Sequence, residues 1–451
     1  MNECLEIHGP CVLNGTVRVS GAKNAALPML LASFLTEEEC IFSNVPAISD
    51  ILILSSLQKS FGGESSYSEK DGIFKVCMKN LNSVSASYSL VKALRASFWL
   101  LGPLLARKRE ARIALPGGDK IGTRAVDMHL DAFRKMGATV NLEHGVVHAT
   151  CIDGLKPEEI SFYFPSVGAT HQVLMAGALT EGETIINNPA QEPEVVALAD
   201  MLTHMGAEIE GAGTERIVIH GKSKLSGTHE EIIGDRIEAG TYIIAGALAG
   251  EKVRVEGFKT KHLGNFLDIL EDIGVNFIKD SDFVEVYKSD NLKPANIATA
   301  PFPGLATDLH PALAVLLFTI NGTSSLKETV YDSRFAYVSE IVRMGGNART
   351  TNNSHCLDGA DKNNLKNVLS YDNSVSITGP CHLMGTSVEA HDVRCGAALV
   401  LAGLIAKGAT RIYEPEHIKR AYVNIDKKLN DIGGSVYFLD SSYEDFNCIG
   451  C

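Results

Sequence analysis

Positive charge is in the minority in this 451-residue sequence: 41 lysines and arginines stand against 54 aspartates and glutamates, for a net charge of −13. Such a surface repels nucleic acid and anionic lipid, so neither is an expected partner. Long hydrophobic runs are also missing. The longest, such as Ala312–Ile320, fall well short of the ~20 residues that span a bilayer, so no membrane association is expected. The first residues, Met1-Asn2-Glu3-Cys4-Leu5-Glu6, are acidic where a secretory signal is basic and then apolar, which predicts a cytoplasmic protein. Ten cysteines are scattered without a secretion signal and read as free thiols rather than a disulfide framework. The one close pair, Cys448 and Cys451, lacks the two further ligands of a zinc site and reads as an inert tail. None of the 14 histidines shows a metal-ligand spacing such as H-E-x-x-H, so no metal is expected. Aromatics are scarce at 7%, and Trp99 is the only tryptophan.

What remains is an ordinary globular composition, 45% hydrophobic and 21% charged, long enough for two or three domains of about 100–200 residues. Within it a unit recurs six times. Each copy has a small-residue start, a largely apolar stretch, a polar turn, a short β-like run, and an amphipathic stretch closed by glycine. The apolar stretches are Ala25–Leu35, Ala96–Ala106, Val173–Leu179, Tyr242–Leu248, Pro311–Phe318 and Ala397–Ile405. The closing glycines are Gly62, Gly137, Gly206, Gly274, Gly345 and Gly433, a period of roughly 70 residues. The last interval is longest because of a polar insertion, Thr351–Asn373. A helix apolar on nearly every face must be buried on all sides, and one with a single stripe packs on a sheet. The pattern predicts an α/β (α+β) protein. Six such units exceed one core, so two lobes of three are expected.

Charge gathers at the starts of the buried helices: Gly21-Ala22-Lys23-Asn24, Ala93-Leu94-Arg95-Ala96, Ser166-Val167-Gly168-Ala169-Thr170, Asp235-Arg236-Ile237, Ala306-Thr307-Asp308 and Asp392-Val393-Arg394. Asp308 and Thr170 could serve as N-caps. Lys23, Arg95 and Arg394 oppose the helix dipole, and an anionic ligand would account for them. A glycine-rich loop, Leu115-Pro116-Gly117-Gly118-Asp119-Lys120-Ile121-Gly122-Thr123-Arg124, suits a mobile lid and is not a nucleotide P-loop.

The run Ser20-Gly21-Ala22-Lys23-Asn24-Ala25-Ala26-Leu27-Pro28 resembles the opening of the UDP-N-acetylglucosamine 1-carboxyvinyltransferase family of enolpyruvyl transferases. Leu115–Gly118, Ser166–Thr170, Asp235–Gly240, Asp332-Ser333-Arg334-Phe335 and His417–Tyr422 are similar to other segments of that family, and the likeness runs from about Leu5 to Tyr437. It implies a two-lobed inside-out α/β barrel of six βαβαββ-like repeats, with substrates in the cleft between the lobes. One lobe would span residues 23–233 and carry the lid. Residues 1–22 and 234–451 would form the second, with the insertion at 351–373.

The resemblance further implies transfer of enolpyruvate from phosphoenolpyruvate (PEP) to the 3-hydroxyl of UDP-N-acetylglucosamine (UDP-GlcNAc), without metal or organic cofactor. By position, Lys23, Arg124 and Arg420 would hold the PEP phosphate and Arg334 with Arg394 its carboxylate, with Asn24 and Arg95 nearby. Arg95, Arg124, Ala125, Val126, Asp127, Met128, Ser166, Val167, Gly168, Asp308 and Val330 match contacts to the UDP-sugar. Asp308 would be the base toward the sugar hydroxyl, and Lys23, Asp119 and Arg394 would share in catalysis. Two positions depart from the family pattern. Asp119 replaces the lid cysteine that acts as acid toward PEP and that fosfomycin alkylates, and Phe164 stands where some members have lysine. A transferase of the same fold acting on another alcohol is one rival reading, and a non-catalytic UDP-sugar-binding regulator is the other. The sequence does not give the oligomeric state.

Overall fold

The computed structural model describes residues 3–86, 88–117, 125–352 and 373–439. The six apolar stretches form the helices Lys23–Ala32, Leu101–Lys108, Val167–Ala178, Arg236–Ala249, His310–Leu317 and Val393–Ile405. They are buried nearly all round: in Val393–Ile405 every residue but the last is shielded from water. Six amphipathic helices follow them in turn: Ser49–Ser60, Asp127–Lys135, Pro193–His204, Phe266–Ile273, Ala336–Arg343 and Ile425–Asn430. The glycine expected to close each one does so, with φ between +88° and +113° at all six positions. A side chain there would be strained, so glycine ends the helix and turns the chain into the next strand.

The plan is strand, buried helix, strand, amphipathic helix, strand, strand, with His229–Glu231, Leu13–Arg18 and Cys4–Gly9 supplying one strand each to the first, fourth and sixth repeats from elsewhere in the chain. The third shows the plan: Glu159–Ser161, Val167–Ala178, Gly182–Asn187, Pro193–His204, Glu208–Glu210 and Arg216–Gly221. Its four strands form one sheet, with Arg216–Gly221 antiparallel to both Gly182–Asn187 and Glu208–Glu210, and Glu159–Ser161 added parallel at the edge. Five sheets of four strands follow this order, and the sixth has three. In that one, Ser85 makes a single parallel bridge to Arg112 where the others have a parallel strand.

The described chain divides into two compact units. One holds the stretch up to Val19 and that from Arg236 onward, and the other holds the stretch from Ser20 to Asp235. In the first, Arg236–Ala249, His310–Leu317 and Val393–Ile405 pack on one another pairwise beneath three sheets. Strand Cys4–Gly9 lies inside one of those sheets, between Gly408–Tyr413 and Val436–Leu439. In the second unit, the 3-10 turn Arg95–Leu100 and the helix Leu101–Lys108 pack on Val167–Ala178. A Cβ on Gly102 would meet the Gln172 carbonyl at 2.8 Å, so this crossing needs glycine. The ends of this unit are joined: the Ala22 N–H donates to the Ile233 carbonyl (2.7 Å) and the Asp235 N–H to that of Ser20 (2.9 Å).

The insertion expected at Thr351–Asn373 is narrower at its base. Ala348–Asn352 pairs with Asn373–Gly379, so Thr351, Asn352 and Asn373 are hairpin strand, and 353–372 lie outside the described residues. Cys448 and Cys451 lie outside them as well. Among the described residues no helix is long and apolar enough to cross a membrane.

Candidate active site

The described site residues fall into a group in each unit. In the unit from Arg236 onward, Asp308 sits in the 3-10 turn Thr307–Leu309 that feeds the buried helix His310–Leu317. Its Oδ1 accepts from Arg394 Nε (2.8 Å) and Arg334 Nη2 (3.2 Å). Burial alone would raise its pKa, but Arg394 and Arg334, with Arg236 beyond them, hold the carboxyl well below the usual carboxylate range. Asp308 is therefore not an N-cap. Arg394 is the second residue of its helix, where Asp392 caps by accepting from the N–H groups of Arg394 (2.8 Å) and Cys395 (3.0 Å). Arg394 Nη1 also reaches the Tyr422 hydroxyl at 3.2 Å.

Arg334 is buried ahead of the helix Ala336–Arg343. Its Nη1 donates to Thr307 Oγ1 at 2.9 Å, its Nη2 is on Asp308, and its Nε–H is buried with no acceptor among the described residues. A planar fork with one unmatched, desolvated N–H is set up for an incoming oxyanion. Val330 lies half-buried on the turn before it, and Arg420 caps the short helix Glu416–Lys419.

In the unit from Ser20 to Asp235, Lys23 opens the first buried helix and pairs with Asp50 at 2.6 Å. Asn24 follows it, half-buried. Lys23 and Arg394, whose positive charges call for an anion, thus already have one each in the protein: Asp50 and Asp308. Arg95 starts the turn Arg95–Leu100 close enough to His129 to disfavour a charge on that imidazole. Ser166, not Thr170, is the N-cap of Val167–Ala178, accepting from the Ala169 N–H at 3.4 Å. Gly168 gives its backbone room there, since a Cβ would lie 2.8 Å from Trp99 Nε1 and 2.9 Å from the His129 ring. Ala125 and Val126 lead into the helix Asp127–Lys135, and Met128 is buried in its first turn. Asp127 Oδ2 accepts from the Tyr163 hydroxyl at 2.7 Å, and its Oδ1 is buried without a partner among the described residues. Asp119 and Arg124 lie outside the described residues.

A family model described as EPSP synthase (3-phosphoshikimate 1-carboxyvinyltransferase) matches residues 7–429. The UDP-N-acetylglucosamine 1-carboxyvinyltransferase 1 of Halalkalibacterium halodurans is 40% identical over 435 residues, 96% of this chain and 94% of its own. The chain belongs to the UDP-N-acetylglucosamine 1-carboxyvinyltransferase family. Another member, UDP-N-acetylglucosamine 1-carboxyvinyltransferase 2 of Clostridium tetani, is 38% identical over 97% of this chain and all of its own. Among solved structures, the enolpyruvyl transferase NikO from Streptomyces tendae superposes with a TM-score of 0.85 at 28% identity, covering 97% of this chain and 99% of that one. EPSP synthase from Acinetobacter baumannii, at 19% identity and a TM-score of 0.73, shares the fold, covering 98% of this chain and 100% of that one.

Beside the residues that the family resemblance names stand others that sequence reasoning passed over. Thr307 and Tyr422 lie inside quoted motifs, yet a hydroxyl carries no signal until its partner is known. Tyr163 is 44% exposed, unusual for so large a ring, but only its bond to Asp127 gives that meaning.

Proposed function

We propose that this enolpyruvyl transferase moves the enolpyruvyl group of PEP to the 3-hydroxyl of UDP-GlcNAc and releases phosphate, the committed step of peptidoglycan precursor synthesis. The observation that carries this reading is Asp308 held ionised by Arg334 and Arg394, with one Arg334 N–H buried and unmatched. Arg334 and Arg394 take the PEP carboxylate, and Arg420 serves the phosphate. In the other unit, Lys23, Asn24 and Arg124 are assigned to PEP, and Arg95, Arg124–Met128 and Ser166–Gly168 to the UDP-sugar. Asp308 and Val330 meet the sugar as well.

In the addition step the sugar oxygen bonds to C2 of PEP, its proton passes to Asp308, and C3 gains a proton, for which Asp119 is the assigned acid. The product is a phosphorylated tetrahedral ketal. Elimination breaks the bond from C2 to the phosphate oxygen, the departing phosphate takes the proton held by Asp308, and a C3 proton returns to the Asp119 carboxylate to restore the double bond. Asp308 begins as a poor base because two arginines stabilise its charge. A substrate carboxylate on the same arginines shares that stabilisation and returns basicity to Asp308 as the site fills. The surrounding cations offset the charge that develops on the reacting groups.

The test is phosphate release from PEP measured with and without UDP-GlcNAc. Release that requires UDP-GlcNAc supports the transferase. Binding of UDP-GlcNAc with no phosphate release would mark a UDP-sugar sensor instead.

A further inference from the structure

Glu328 is buried at 2% exposure and meets the hydroxyl of Thr307, the residue before Asp308. Its Oε1 accepts from Thr299 Oγ1 (2.9 Å) and from the backbone N–H groups of Val330 (2.7 Å) and Tyr331 (3.1 Å). Its Oε2 accepts from Thr307 Oγ1 at 2.8 Å, with His310 Nδ1 at 3.3 Å. Burial opposes the charge, yet the His310 ring, Arg334 and the Val330 N–H hold the carboxyl down to about 2. An ionised carboxylate only accepts hydrogen bonds and a guanidinium only donates them, while a hydroxyl has a single proton. The Thr307 proton must therefore point to Glu328, and its lone pair must face Arg334 Nη1, 2.9 Å away.

This fixed direction decides which N–H groups of Arg334 remain for substrate. With Nη1 on Thr307 and Nη2 on Asp308, the guanidinium cannot turn to lay two parallel N–H groups on Asp308, and the Nε–H stays unmatched. Without the Thr307 acceptor, Asp308 would take the fork bidentately and compete more strongly with the substrate's carboxylate than it does through Nη2 alone. We infer that Glu328 is a positioning residue for enolpyruvyl transfer, aiming Arg334 through the Thr307 hydroxyl. The inference rests on the proposed reaction and on Arg334 as a carboxylate ligand.

Thr307→Val removes the hydroxyl at nearly constant shape and leaves the other three bonds to Glu328 in place. Glu328→Gln keeps an acceptor for the Val330 and Tyr331 N–H groups but presents an amide donor to Thr307, reversing the relay. Both variants should raise the KM for PEP about tenfold or more, as expected for a bond to a charged group, and leave the KM for UDP-GlcNAc within about twofold. Thr307→Ser should restore the wild-type value. Combined with Arg334→Lys, Thr307→Val should add little further loss, because both act through one guanidinium. Equal changes in both KM values, or losses that add fully with those of Arg334→Lys, would overturn the positioning role. So would a defect in Glu328→Gln with none in Thr307→Val, since the carboxylate would then serve only the 328–331 turn. Wild-type protein without UDP-GlcNAc-dependent phosphate release would instead remove the reaction, and the inference with it.

Discussion

Asp308 lies on the two arginines proposed to receive the substrate's carboxylate. Its replacement therefore has an unequal outcome on binding and turnover. Asp308→Asn should lower kcat by about 10²–10⁴-fold, the usual worth of a positioned base. The same change removes the resident competitor from Arg334 and Arg394, so the KM for PEP should fall rather than rise. Steady-state kinetics with calorimetric PEP binding checks both; weaker PEP binding would mean that Asp308 organises the arginines instead of competing for them. Asp119 carries a second expectation at this scale. A carboxylate is a poor soft nucleophile beside a low-pKa thiolate, so fosfomycin should not inactivate the wild-type protein. Asp119→Cys should restore time-dependent inactivation, read as a mass adduct on that residue. An adduct on the wild-type chain would refute this. Legibility varied in the same way. Lys23 and Arg394 drew notice because cations at helix starts oppose the dipole, whereas Thr307 and Glu328 form a relay that needs three dimensions to be seen.

The buried helices were the most readable elements, because being apolar on every face leaves a helix nowhere to go but inside. The terminal glycines were readable for an equally local reason, the positive φ each must adopt. The three-residue edge strands Glu159–Ser161, His229–Glu231, Asn296–Ala298 and Ser387–Glu389 were not, being too short to show any periodicity. One pair of helices has a pH dependence of its own. Burial holds the imidazoles of His129, in Asp127–Lys135, and His171, in Val167–Ala178, down to about 3, and Arg95 adds to the effect on His129. In the unfolded chain both protonate near 6.5, so between 6.5 and 3 the unfolded state binds more protons. Stability should therefore be full above pH 6.5 and decline as pH falls toward 3. Urea midpoints across that range measure it, and His129→Gln and His171→Gln should each flatten the acid side. A wild-type midpoint unchanged between pH 6.5 and 4 would contradict the neutral, buried state of both rings.

At the scale of the whole molecule, the repeat count pointed to two groups of three units, and the family likeness adds where enolpyruvyl transfer takes place. That likeness also implies a second lobe split in two, 1–22 and 234–451, around the first. The unit that holds Ser20–Gly118 and Arg124–Asp235 is closed at its base by the bonds between Ala22 and Ile233 and between Asp235 and Ser20. The other unit is split by it, and its strand Cys4–Gly9 pairs only with residues beyond position 407. On a ribosome this strand leaves the tunnel well before residues 408–413 and 436–439, its two neighbours, exist. The stretch from Ser20 to Asp235, by contrast, has all its partners as soon as it has emerged. Synthesis thus imposes an order on assembly, inner segment first and surrounding segments last. Throughout that wait Leu5 and Ile7, both wholly buried in the finished protein, stay in water on a strand with two open edges, the state most exposed to chaperones and to self-association.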